Sequence, residues 1–180
     1  MPKPTIADVM REYAKGAVAY AKRVHGMDLN YSEQSLSDID AIIAKRIASS
    51  LVVPDNLPAS EREELWTFCK VLGGYVGEVI LRNLGGAWET QTAADGSSMI
   101  SVVVGGVRGS PPEGIWRAHT EDFKSIVTYY RTLRVAMGHG VRTSTPGGST
   151  NVELPLLSAE PRRDRDPARA KVPWWKLWRS

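Results

Sequence analysis

The sequence predicts an α+β fold: three helices, a small antiparallel β-hairpin or sheet, a further helix, then a flexible C-terminal arm. Three observations carry this. Apolar residues recur at three- and four-residue steps through most of the chain up to Leu84. After Gly85-Gly86 the pattern changes to β-branched strand segments around a turn. From about Gly138 the pattern fades into Gly, Ser, Thr, Pro and charge.

Ile6, Val9, Met10, Tyr13, Ala17, Tyr20 and Val24 share one helical face, which predicts a helix over about 5–24 that Gly26 stops. In "LNYSEQSLSDIDAII", Ser32 and Ser35 are candidate N-caps, and Leu36, Ile39, Ile43 and Ile47 form the apolar stripe of a second helix over roughly 33–50. "VPDNLPAS" is a proline-rich connector. Ser60 with Glu63 then has capping-box spacing. The third helix carries Leu65, Phe68, Leu72, Val76, Val79 and Ile80, and ends at Gly85-Gly86.

"AWETQT" and "MISVVVGG" read as two strands joined by a turn at Asp95-Gly96. "VRGSPPEG" reads as a loop, with Trp116 and Arg117 closing the domain behind it. Thr120, Glu121 and Asp122 suit the start of a fourth helix, which bears Phe123, Ile126, Val127, Tyr130 and Leu133 on its inner face. The organisation expected is a single domain over 1–137, a linker over 138–170 and an aromatic-basic motif over 171–180.

Residues 27–90 resemble an uncharacterised bacterial family of domains of unknown function. The likeness rests on "LNYSEQSLSDIDAII" and "GGYVGEVILRNLGGAWE", similar to that family's Leu-Asp-Tyr-Ser and Gly-Glu-Val-Ile…Gly-Gly-x-Trp motifs. Asn30 stands where the pattern has Asp. The resemblance implies a small α+β domain and supplies no activity.

Charge and composition narrow the function classes. Residues 160–180 hold seven Lys/Arg against three Asp/Glu, leaving sixteen against seventeen in residues 1–159. The basic excess therefore belongs to the tail, and no specific nucleic-acid partner is expected of the domain. The lone Cys69 allows no internal disulfide and reads as a small buried hydrophobe. In "MPKPTIADVMREYAKG" charges interrupt the apolar residues before a signal-peptide core forms. A cytoplasmic protein, at most peripheral at a membrane, is the expectation.

His25, His119 and His139 lack metal-ligand spacing, so neither a metal nor a cofactor is expected. His25 suits a helix C-terminus, and His119 adjoins the expected start of the fourth helix. "GGVRGSPPEG" lacks the glycine spacing and Gly-Lys-Ser/Thr ending of nucleotide-binding loops. Gly73 and Gly77 lie one turn apart, where missing side chains admit a close neighbour. Glu78 and Arg82 have i, i+4 spacing, which predicts a structural ion pair beside a core Trp88. The alternative makes Glu78, Arg82 and Trp88 a polar site.

The remaining signal is the terminus "KVPWWKLWRS". Half of the six tryptophans, Trp174, Trp175 and Trp178, lie there among Lys171, Lys176 and Arg179. Such a cluster marks an interaction site. The leading expectation is a non-enzymatic partner-binding domain that presents this peptide to a protein groove, or to its own surface. One alternative is an interfacial foot on an anionic membrane surface. Another is an enzyme of unknown reaction with its site near Glu78 and Arg82.

Overall fold

The computed structural model describes residues 3–49, 57–92, 98–120 and 125–140. Helix α1 spans Ile6–Tyr20 and continues as one π-helical turn over Ala21–His25. Thr5 and Asp8 form a capping box at its start, and Gly26, at φ 66°, takes the left-handed conformation at its end. Helix α2 spans Leu36–Ser49 and α3 spans Ala59–Leu84. Three strands follow, β1 (Ala87–Thr92), β2 (Ser98–Val104) and β3 (Val107–Gly109), then α4 (Pro111–Thr120) and α5 (Ile126–Gly140).

The strands form one antiparallel sheet in the order β1-β2-β3, with Trp88 opposite Val102 and Val102 opposite Gly109. Trp88, Val102, Val104 and Val107 are buried, so one face of the sheet joins the core. The other face carries Arg108, which reaches across to Glu89 at 2.8 Å and to Gln91.

The α+β class predicted from the sequence is what the structure has, but several details differ. "VRG" is a strand, and "PPEGIWRAHT" is helix α4. Prolines at the first two helical positions forfeit no intrahelical bond, since those N–H groups have no partner there. His119 therefore lies at the end of a helix, not before one. The last helix starts at Ile126 and runs through Gly140, past the expected boundary at residue 137. Helix α3 begins one residue after Pro58, with no side-chain cap, so Ser60 sits inside its first turn. The Asp95-Gly96 turn, Phe123, the residues of the linker from 141 onward and the terminal motif lie outside the described residues.

Every residue of α3 from Val71 to Ile80 is buried, as befits a helix enclosed on all sides. Three glycines let its neighbours come that close. A Cβ at Gly73 would lie 2.5 Å from Pro112 Cα of α4, and one at Gly74 would lie 2.8 Å from the Met10 carbonyl oxygen of α1. A Cβ at Gly77 would enter the Trp88 indole. The expectation of close packing at Gly73 and Gly77 therefore describes the structure, with Gly74 added.

Helix α5 is tied to α2 and the segment before it by carboxylates. Asp40 accepts the Ile126 N–H at 2.7 Å and the Val127 N–H at 3.4 Å, capping a helix remote in sequence. Glu33 accepts the Tyr130 hydroxyl at 2.6 Å and Arg134 at 3.2 Å. Beneath these bonds Ile126, Tyr130 and Leu133 are buried.

Two glycine substitutions should move stability in opposite directions. At Gly16 a Cβ meets only Val71 Cγ1, at 4.0 Å, so Gly16→Ala should raise stability by about 0.5–1 kcal/mol through helix propensity. Gly74→Ala gains the same propensity but drives Cβ into backbone atoms of α1, and overpacking of this kind costs about 1–3 kcal/mol. Its net effect should be a loss. Thermal melts of both variants check the pair, and a Gly74→Ala protein more stable than wild type would refute the packing argument.

Candidate binding site

The C-terminal half of α3 places Tyr75, Glu78 and Arg82 beside the segment that joins α1 to α2. The first of these is fully buried, the second is 8% exposed and the third is exposed. In the joining segment the Asn30 side-chain oxygen accepts the Ser32 N–H at 3.1 Å, folding the chain tightly around Tyr31. Tyr31 has φ 63°, in the left-handed region that non-glycine residues seldom occupy. A conformation of that kind costs of order 1–3 kcal/mol and needs surrounding structure to hold it.

The Tyr75 hydroxyl supplies the hold. It accepts the Tyr31 N–H at 2.8 Å and lies 2.6 Å from Ser35 Oγ. Ser35 donates its own proton to the Ser32 carbonyl at 2.6 Å, so Tyr75 is the donor in the Tyr75–Ser35 bond. Its proton and one of its lone pairs are thus engaged. The Tyr31 and Tyr75 rings also pack at 4.9 Å, tilted by 31°. Burial pushes the Tyr75 phenol above its ordinary pKa, and burial does the same to Tyr31, with Arg82 and Lys15 opposing it and Glu78 adding to it.

Glu78 and Arg82 do not pair. The Glu78 carboxylate accepts the Trp88 indole N–H at 3.0 Å, inside the contact between α3 and β1. Arg82 turns the other way and lays its guanidinium over the Tyr31 ring, 3.5 Å from the centroid. The expected i, i+4 ion pair is therefore replaced by two separate contacts, and Trp88 belongs with Glu78 alone. Arg82 meets neither a carboxylate nor another hydrogen-bond acceptor among the described residues.

Sequence reasoning missed Tyr31, Ser35 and Tyr75 as members of this cluster. No local pattern in the sequence joins them, since residues 29–43 and 73–89 meet only through the fold. Of the tail candidates, Lys171, Trp174, Trp175, Lys176, Trp178 and Arg179 all lie outside the described residues.

Chemistry elsewhere in the domain is sparse. Among the described residues no group of three or more His, Cys, Asp or Glu side chains could hold a metal ion. Cys69 is fully buried and its thiol is pushed up by desolvation, so it stays protonated. His119 and His25 both titrate below the ordinary histidine value. Burial is the main cause, reinforced by Arg46 at His119 and by Lys45 at His25. Among the described residues no helix is long and apolar enough to cross a membrane. No protein-family model, curated protein or solved structure matches the chain.

Two measurements probe this geometry. Tyr75→Phe keeps the ring but strips the Tyr31 N–H of its acceptor, and such a loss costs about 1–3 kcal/mol. Calorimetry should show that loss; an unchanged melting temperature would mean the hydroxyl does not hold Tyr31. Lowered histidine pKa values mean that the unfolded chain binds protons first as pH falls. Stability should therefore drop from about pH 7 downward through the folded-state values. His119→Phe should flatten part of that slope, and a variant with the wild-type slope would contradict the assignment.

Proposed function

We propose that the protein is a non-enzymatic partner-binding domain that carries two recognition elements: the Trp-rich basic peptide at 171–180 and the Arg82–Tyr31 stack. The observation that carries this reading is the parting of Arg82 from Glu78. An arginine that leaves a carboxylate one turn away and stacks on a strained tyrosine keeps its N–H groups for something else. Arginine and tyrosine are the residue types enriched at binding hot spots, and so is tryptophan.

The groups an enzyme near Glu78 would use already carry structural hydrogen bonds. The Glu78 carboxylate holds the Trp88 N–H through one oxygen, and the Tyr75 hydroxyl accepts from Tyr31 and donates to Ser35. A general base must reach a substrate proton, and a buried carboxylate under an indole is poorly placed for that. This supports binding over catalysis. The tail adds large rigid aromatic area to a terminus, where a tryptophan seated in a partner buries about 150–250 Å².

Three full-length proteins test the reading: wild type, Trp174/Trp175/Trp178→Ala and Lys171/Lys176/Arg179→Gln. Each is offered cell lysate, anionic vesicles and neutral vesicles at low and high salt. Saturable capture of one protein that survives high salt should be lost in the triple alanine variant, since each hot-spot truncation costs about 2 kcal/mol or more. The charge variant should lose mainly association rate and salt sensitivity. Binding confined to anionic vesicles would put a membrane foot in place of the protein partner. A triple alanine variant that behaves like wild type throughout would remove the tail as a recognition element.

A further inference from the structure

We infer that the Arg82–Tyr31 stack is a reading point for a carboxylate on an acidic peptide segment of the partner, a deeper statement of the partner-binding role that rests on that reading. A guanidinium is planar, and its five N–H donors lie in that plane. Stacked 3.5 Å over the Tyr31 ring, Arg82 has its face covered and its edge free. Edge-on presentation of parallel N–H groups is the geometry that a carboxylate meets with two hydrogen bonds.

The platform is rigid as well as shaped. Tyr31 is bound through its backbone N–H to Tyr75, a fully buried residue of the central helix. Asn83, next to Arg82, donates to the Val79 carbonyl at 2.7 Å and more weakly to the Tyr31 carbonyl at 3.5 Å, fastening the same loop from the other side. Arginine usually surrenders much side-chain freedom on binding, and a guanidinium already stacked surrenders less. The strain at Tyr31 thus has a use: it aims the ring so that Arg82 is held in one plane.

The local charges set the strength. Lys15 acts on Tyr31 from α1, but it is paired with Glu12 at 2.7 Å. Glu78 acts on Tyr31 from α3, and one helical turn before Arg82 its negative charge should weaken an anion bound there. Glu78→Gln keeps an oxygen for the Trp88 N–H while removing that charge. It should therefore tighten carboxylate binding without unseating the indole.

The full-length protein is titrated with deca-glutamate, deca-glutamine and inorganic phosphate, with the Arg82 Nε–Hε NMR signal as the readout. Deca-glutamate should shift that signal saturably, and deca-glutamine should not. Arg82→Lys keeps the charge but not the fork and should weaken deca-glutamate binding about tenfold. Tyr31→Asn keeps a residue that tolerates the left-handed conformation and removes the platform, so it should weaken binding comparably. Glu78→Gln should strengthen it. Retention of full affinity in Arg82→Lys, or equal shifts at exposed Arg11 and Arg23, would overturn the inference by showing a diffuse charge effect. A response to phosphate at least as strong as that to deca-glutamate would overturn the carboxylate assignment. None of these outcomes depends on the tail tryptophans, so failure here removes the stack as a recognition element and leaves the tail's part of the partner-binding reading to its own test.

Discussion

Helix α3 is approached from three sides at distances that a Cβ atom at Gly73, Gly74 or Gly77 forbids. Pro112 closes from α4, Met10 and Tyr13 from α1, and the Trp88 indole from β1. Each glycine gives up about 1 kcal/mol of helix propensity against alanine. The return is dispersion contact along the helix and, at Gly77, room for the indole of Trp88 to come close. Once Trp88 is there, its N–H is buried and needs an acceptor, and the next residue after Gly77 is Glu78. The position of the buried carboxylate is thus a consequence of the glycine one residue before it.

The same helix carries the core outward to the surface. Tyr75 is one turn before Val79 and two before Arg82, and it is fully buried. Its hydroxyl lies at the edge of that enclosure, where the joining segment passes. By accepting the Tyr31 N–H it converts burial energy of the core into a fixed backbone conformation at an otherwise solvated loop. Loops that carry recognition residues are generally held by rigid elements in this way.

How much of this was legible in the sequence depended on whether the signal was local. The helical faces of α1, α2 and α3 were readable because burial imposes a 3.6-residue period, and the glycine stops were readable because a left-handed residue follows a helix end. Gly73 and Gly77 could be read as a close contact, since two glycines one turn apart cost helix propensity and close packing is a compensating cause. Helix α4 was not readable: Pro111, Pro112 and Gly114 mimic a loop, and only packing of Pro112 on Gly73 reveals the helix. The left-handed Tyr31 carries no mark either, because glycine or asparagine is what usually announces such a position. Asp40 capping α5 joins residues 86 positions apart, a separation at which local patterns are silent.

The parting of Glu78 and Arg82 shows why spacing alone misled. An i, i+4 separation says only that two side chains leave the same helical face. Whether they pair depends on competing partners, and the magnitudes here decide it. A helix ion pair yields about 0.2–0.5 kcal/mol. A buried indole N–H left without an acceptor costs about 1–3 kcal/mol, so Trp88 takes the carboxylate. Arg82 then has a choice between a weak pair with an already engaged, buried anion and a ring at 3.5 Å. Cation–π contact at an exposed site yields about 0.5–1 kcal/mol, which exceeds the ion pair without requiring the arginine to be desolvated. Both side chains settle where their larger interaction lies. The carboxylate is thereby committed to structure, and the guanidinium is left at the surface with its donors outward.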